Sequence, residues 1–299
     1  METDFLKGQA VKGGWYQALE TVTKICGSWF FIVVSRVIAA GFFVFSKNVP
    51  ESRRFYALLY PQKGALYHLW CTFRQYQSFT TIHLDRFLSI HQRETAFTSH
   101  DWEKLESVVN LKGAILLMSH LGNWEMAAHL LKKQESRLKL LLYMGVKDKE
   151  DLERLQKEHL HQSGVTIIGV EKDGGSPFDA LEGIRFLQDG GLVSMTGDIV
   201  WRSDQRKRRV NFLGGEAFVP EAPYIFALVS GAPIFVFFPF RSGKNSYEFI
   251  LSDPIYIKRG DKSERDAVIQ AAAQQYADLL EEKLREHPFE WYHFDRFVQ

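Results

Sequence analysis

Several things are missing from this sequence, and each absence narrows what the chain can be. Cysteine is scarce: Cys26 and Cys71 are too few for a disulfide framework, so a reducing compartment is the simpler reading. Cys26 flanks an apolar run and reads as a buried thiol before it reads as an acylation site. Net charge is only +1, which gives no global field toward nucleic acid. No G-x-S-x-G string occurs, which argues against the usual serine hydrolases. Walker A and G-x-G-x-x-G strings are absent too, leaving nucleotide binding without support. Residues Met1 to Gly14 are polar and unpatterned and do not read as a signal peptide, since no small-residue cleavage site follows a charged start and apolar core in the usual place. No repeat, low-complexity tract or clear linker divides the chain.

What is present is ordinary for a globular chain in bulk, with 45% hydrophobic and 24% charged residues. Phenylalanine is the exception: 24 residues give the fold much aromatic surface to hide. Ile25 to Phe45 is long and apolar enough for a bilayer, with Arg36 as its one charge. A central Arg costs roughly 2.5–3.5 kcal/mol on insertion scales, and each Phe, Ile or Val returns roughly 0.3–0.6. The expectation is a helix that dips into one leaflet, with Arg36 reaching headgroups or a buried partner. The core helix of a soluble protein would carry the same run. Residues 1–50 are therefore read as a membrane-associating N-terminal part and 51–299 as the catalytic domain. Within the latter, Glu51 to His91 predicts two or more helices broken near Pro61, from apolar residues recurring at three and four.

After Gly113 the pattern changes to strands alternating with helices. Strands are expected at Ala114–Met118, Leu138–Tyr143, Val165–Val170, Leu192–Thr196, Ile234–Phe238 and Tyr247–Leu251. Helices are expected at Asp148–Gln162, from Pro177 to Gly190-Gly191, and from the capping-box pattern Ser263-x-x-Asp266 to about Glu286. Such alternation predicts an α/β fold with a central mostly parallel or mixed sheet flanked by helices.

The chemistry concentrates in Ser119-His-Leu-Gly-Asn-Trp-Glu125. His120 falls at the end of an apolar strand and Glu125 at the start of a helix. A near-neutral imidazole can take a proton from a hydroxyl, and works better when a carboxylate fixes its tautomer. A loop between the two can fold Glu125 back onto the ring, and backbone N–H groups at the helix start would suit an oxyanion. Asp198 ends a second strand, where α/β sheets carry their chemistry. Arg202, Arg206, Lys207, Arg208 and Arg209 follow it, a run suited to phosphate, anionic lipid or an acidic carrier protein. The candidate substrate contacts are Asn123, Asp198 and Arg209. His129, four residues after Glu125, opens a second reading as a metal-assisted hydrolase using His120, Glu125 and His129. The closing Trp291-Tyr-His-Phe-Asp-Arg-Phe297 suits a membrane interface, an acyl channel or a tail packed on the core.

The string Lys112-Gly-Ala-Ile-Leu-Leu-Met-Ser-His-Leu-Gly-Asn-Trp-Glu125 resembles the H-F/L-G-N-W-E core of the bacterial lipid A biosynthesis acyltransferases, relatives of the H-x-x-x-x-D glycerophosphate acyltransferases. The likeness extends to Gly197-Asp198, Val210-Asn-Phe-Leu-Gly214, Pro220 to Pro223, Gly231-Ala-Pro233 with the strand after it, and the terminal Trp-x-His-x-x-Arg. The resemblance implies acyl transfer from an acyl carrier protein thioester, or a coenzyme A thioester, to a hydroxyl of a glycolipid such as a lipid A precursor. It places the enzyme at the cytoplasmic face of the cell inner membrane. It implies His120 as general base with Glu125 as partner, and no metal or cofactor. Three features depart from the family pattern. Ile199 replaces the Gln after the family Asp, which leaves that role open between Asp198 and Asp204 of Asp204-Gln205. Met144-Gly145 stands where an Arg is common, with Lys147 the nearest cation. The tail reads W-Y-H-F-D-R-F. The last two point to a divergent branch whose acceptor need not be lipid A itself. A catalytically silent membrane-bound partner protein is the third reading.

Overall fold

The computed structural model describes residues 28–299, apart from 92–94, 100, 129–137, 146–164, 171–176, 201–203, 244, 259 and 262. The expected helix at Asp148–Gln162 lies outside the described residues, as do Cys26, His129, Lys147 and Arg202.

Three helices lead into the sheet: α1 (Ser28–Phe45), α2 (Val49–Leu59) and α3 (Ala65–His91). The break around Pro61 is where the sequence placed it. α1 buries Ser35 and Ala39, and Phe43 meets Phe73 of α3 edge-on at 5.4 Å. Trp29, Val33, Val37, Phe42 and Phe45 remain exposed on it, as does Arg36. No single described helix is long and apolar enough to cross a membrane. Residues Ile32–Phe45 and Val49–Leu59 reach that composition only together, and they bend by 94° at their junction. Pro50 at the start of α2 fits this corner, because it lacks an N–H that a continuous helix would need.

The rest of the fold is the mixed α/β architecture expected. In chain order come β1 (Ala96–Ser99), α4 (Trp102–Lys112), β2 (Ala114–Met118), β3 (Leu140–Gly145), β4 (Thr166–Val170), α5 (Pro177–Gln188) and β5 (Leu192–Thr196). There follow β6 (Lys207–Phe212), β7 (Gly215–Pro220), α6 (Ala222–Ser230), β8 (Ile234–Gly243), β9 (Ser246–Leu251) and α7 (Arg265–Glu286). Seven strands form one sheet in the order β1-β9-β8-β2-β5-β3-β4. Neighbours from β8 to β4 pair in parallel, β9 runs antiparallel to β8, and β1 lies parallel to β9.

The central strands are covered on both faces, so β2 and the first half of β8 read as unbroken apolar runs, while β5 carries the buried Ser194 among its apolar residues. Alternate residues divide between two cores. Ile115, Leu117, Val193, Val236 and Phe238 join α6 and α7 on one side, while Leu116, Met118, Leu192, Phe235 and Phe237 pack with Leu105 of α4 on the other. Each such side chain, fully buried, contributes about 1.5–3 kcal/mol. α7 fits its face through Ile269, Ala273, Tyr276, Leu280 and Leu284, spaced three and four apart.

A two-stranded hairpin, β6–β7, was not anticipated. Its turn is Leu213-Gly214, with φ of 49° and 76°, the two positive values that a two-residue hairpin turn of type I′ needs. Leu is ill suited to this conformation. Two contacts hold it there: the Leu213 N–H donates to the Glu281 carboxylate at 2.5 Å, and the side chain is buried. Gln274 of α7 grips the same hairpin through both the N–H and the C=O of Asn211.

Candidate active site

The site forms where β2 and β5 end. These strands pair in parallel with Met118 opposite Thr196. Two residues further along each chain, the same register brings His120 opposite Asp198. The imidazole Nδ1–H donates to Asp198 Oδ1 at 2.9 Å, and the His120 backbone N–H donates to Oδ2 at 2.7 Å. A third donor comes from the far end of the chain: Trp291 Nε1–H reaches Oδ2 at 3.0 Å. Because an ionised carboxylate only accepts, Nδ1 carries the hydrogen and Nε2 is left as the basic nitrogen.

Asp198 is fully buried, yet it stays ionised. Burial alone would raise its pKa, but the His120 imidazole and the donated hydrogen bonds outweigh that and hold it at about 2, against an ordinary 3.8. The His120 side chain, by contrast, keeps 25% of its surface exposed. The arrangement is a buried charged anchor beneath a reachable base.

The loop from Ser119 to Asn123 is held rigidly. Gly122 N–H donates to Glu290 O and Asn123 N–H to Pro239 O, while Tyr292 N–H donates to His120 O. The tail is itself anchored by Gln75 Nε2–H on Trp291 O and Tyr56 O–H on Pro288 O. Gly122 has φ of +85°, and a Cβ there would lie 2.3 Å from Pro239 O. Gly122→Ala should therefore cost at least about 1–3 kcal/mol, lowering the melting temperature by several degrees and acyl transfer with it. Thermal unfolding by circular dichroism would measure this; an unchanged melting temperature would contradict the close approach.

Asn123 is almost completely buried. Its Nδ2–H donates to Tyr247 O–H at 3.0 Å, and its Oδ1 accepts from Met126 N–H at 3.3 Å, capping the helical turn that starts at Trp124. Glu125 sits half-buried in that turn. The N–H groups of Leu121, Gly122, Asn123 and Met126 donate within the protein, so the oxyanion role expected of the helix start does not fall to them. Arg209 is exposed on β6, with Nη1 3.1 Å from Glu216.

Two residues near the base had been read only as parts of a closing motif. Trp291 is buried and fills the space between Phe55, Phe212 and Phe297. His293 stands edge-on to His120 at 6.3 Å between ring centres. Burial pushes its pKa down, and its Nδ1–H donates to Asp295 O at 3.2 Å. The sequence signals for both were the interleaving of aromatic and polar residues at 291–297 and the terminal Trp-x-His-x-x-Arg of the family resemblance. Among the described residues no group of three His, Cys, Asp or Glu side chains could hold a metal ion.

Residues 73–297 match the profile of a family described as bacterial lipid A biosynthesis acyltransferase. No curated protein gives a significant match.

Proposed function

The chain belongs to the bacterial lipid A biosynthesis acyltransferase family, and from that premise we propose that it moves a fatty acyl chain from a thioester donor to a hydroxyl of a lipid A precursor or related glycolipid, with His120 as general base. Membership makes it an acyltransferase; donor, base and membrane attachment belong to the proposal. The observation that carries it is the His120–Asp198 pair, which leaves a partly exposed imidazole with Nε2 as its basic nitrogen.

In the proposed reaction Nε2 takes the proton of the acceptor hydroxyl as its oxygen attacks the thioester carbonyl. The carbonyl becomes a tetrahedral oxyanion. Its collapse forms the ester and breaks the C–S bond, and the leaving sulfur takes the proton back from the imidazolium. Asp198 fixes the tautomer and stabilises the transient charge without being protonated itself. Asn123 acts on the loop rather than on substrate. Glu125 remains the second acidic group of the motif, five residues beyond the base. An acyl carrier protein is the proposed donor, with a coenzyme A thioester as alternative. The exposed apolar row on α1 supports work at a membrane surface, and the family likeness is what points to the cytoplasmic face of the inner membrane.

The test is reconstitution. Purified protein incubated with a long-chain acyl carrier thioester and a lipid A precursor in detergent micelles should yield an acceptor heavier by one acyl group, seen by mass spectrometry. Hydrolysis of the thioester with no acylated acceptor, across glycolipid acceptors, would overturn acyl transfer as the function.

A further inference from the structure

We propose that the cavity beside Asp198 is a subsite for a phosphate ester, with Lys207 and Arg296 supplying its positive charge. The proposal rests on the acyl-transfer reading, since it places the phosphate on a reactant of His120. The cavity holds about 330 Å³, and its lining includes Asp198, Lys207, His293, Asp295 and Arg296 together with Phe218 and Phe297.

The cations near the site differ in what they are already bound to. Arg208 is bridged between Glu221 at 3.0 Å and Asp266 at 2.6 Å, and Arg209 reaches Glu216. Lys207 makes no ion pair among the described residues. Its ammonium lies 4.4 Å from the centre of the Phe218 ring, a contact that leaves its N–H groups able to donate elsewhere. Arg296 offers Nε to Glu51 only at a loose 3.6 Å, and its side chain is 52% exposed. The Asp198 carboxylate accepts from His120 and Trp291, and among the described side chains that line the cavity Asp295 is the other carboxylate beside the two cations.

The third polar feature is His293. With Nδ1–H committed to Asp295 O, its Nε2 can accept from a hydroxyl. Two cations from separate elements and one acceptor suit a phosphate ester carrying a nearby hydroxyl better than a bare carboxylate. Two reactants have that chemistry: a phosphorylated sugar of the acceptor, and the phosphorylated pantetheine arm of a carrier-bound thioester.

Binding can be measured without turnover, using glucosamine 1-phosphate and pantetheine 4′-phosphate as separate probes, each beside its unphosphorylated form. Titration calorimetry would compare wild type, His120→Ala, Lys207→Gln, Arg296→Gln and the double Lys207→Gln/Arg296→Gln variant. One probe is expected to saturate wild type and His120→Ala at millimolar concentrations. Each single variant should bind it about ten-fold more weakly, as for loss of one charge-assisted hydrogen bond, and the double variant should lose it. Which probe saturates names the reactant. Binding of neither probe, equal binding of the unphosphorylated forms, or unweakened binding by the double variant would overturn the subsite. Failure of acyl transfer in wild type would instead count against the function, whatever these titrations give.

Discussion

Replacing His120 with alanine is expected to lower kcat/KM for acyl transfer by roughly 100- to 10,000-fold, the range associated with loss of a general base. The fold should survive. Asp198 keeps two of its three donors, the His120 backbone N–H and Trp291 Nε1–H, both of which are independent of the imidazole. Circular dichroism should show native secondary structure with at most a modest fall in melting temperature. Steady-state kinetics with a thioester donor decide the matter: activity retained within a few-fold would remove this imidazole from the mechanism.

Asp198→Asn is expected to be at least as damaging, for a different reason. Oδ2 receives two donors and Oδ1 one. An asparagine placed to keep the two bonds must put its oxygen at the Oδ2 position, which turns its NH₂ toward His120 Nδ1. That favours the tautomer with the hydrogen on Nε2, where no proton can be accepted. A loss on the order of 10,000-fold in kcat follows from a base held in the wrong tautomer. The pH profile supplies a second reading. With its pKa at about 2, Asp198 stays ionised throughout the working range, so the acidic limb of wild-type kcat/KM belongs to the imidazole. Removing the carboxylate's charge makes the imidazolium less stable, so any residual activity should have its acidic limb at lower pH. A limb that stays put, or moves up, would rule out the electrostatic role.

The same depressed pKa bears on stability. A carboxylate favoured in its charged form by folding contributes fully above its ordinary 3.8. That contribution is lost as pH falls from there through about 2, and is on the order of 2 kcal/mol.

Much of the sheet could be read in advance because its central strands are buried on both faces. That burial forces short, largely apolar runs closed by glycine or polar residues, as at Ala114–Met118 between Gly113 and Ser119. The hairpin β6–β7 left no such trace. Lys-Arg-Arg-Val-Asn-Phe looks like a charged loop, and Leu213-Gly214 is not a typical turn sequence; α7 makes the structure possible by satisfying the hairpin from outside. β1, at Ala96–Ser99, is likewise too short and too polar to announce itself. At the site, the strand-end position of His120 was legible from local pattern alone. Spacing also drew attention to Glu125, because five residues are easy to count. The carboxylate seated on Nδ1 is 78 residues away, and nothing local signals such a pairing.

By itself, the order of residues determined where strands end, that an imidazole stands at one of those ends, and which family profile the chain satisfies. Those are consequences of local apolar pattern and short-range composition. Only the tertiary structure decided which acid holds the imidazole and that Trp291 supports it. The parallel register of β2 with β5 and the return of the tail across the loop bring distant segments together, and contacts of that kind are set by packing.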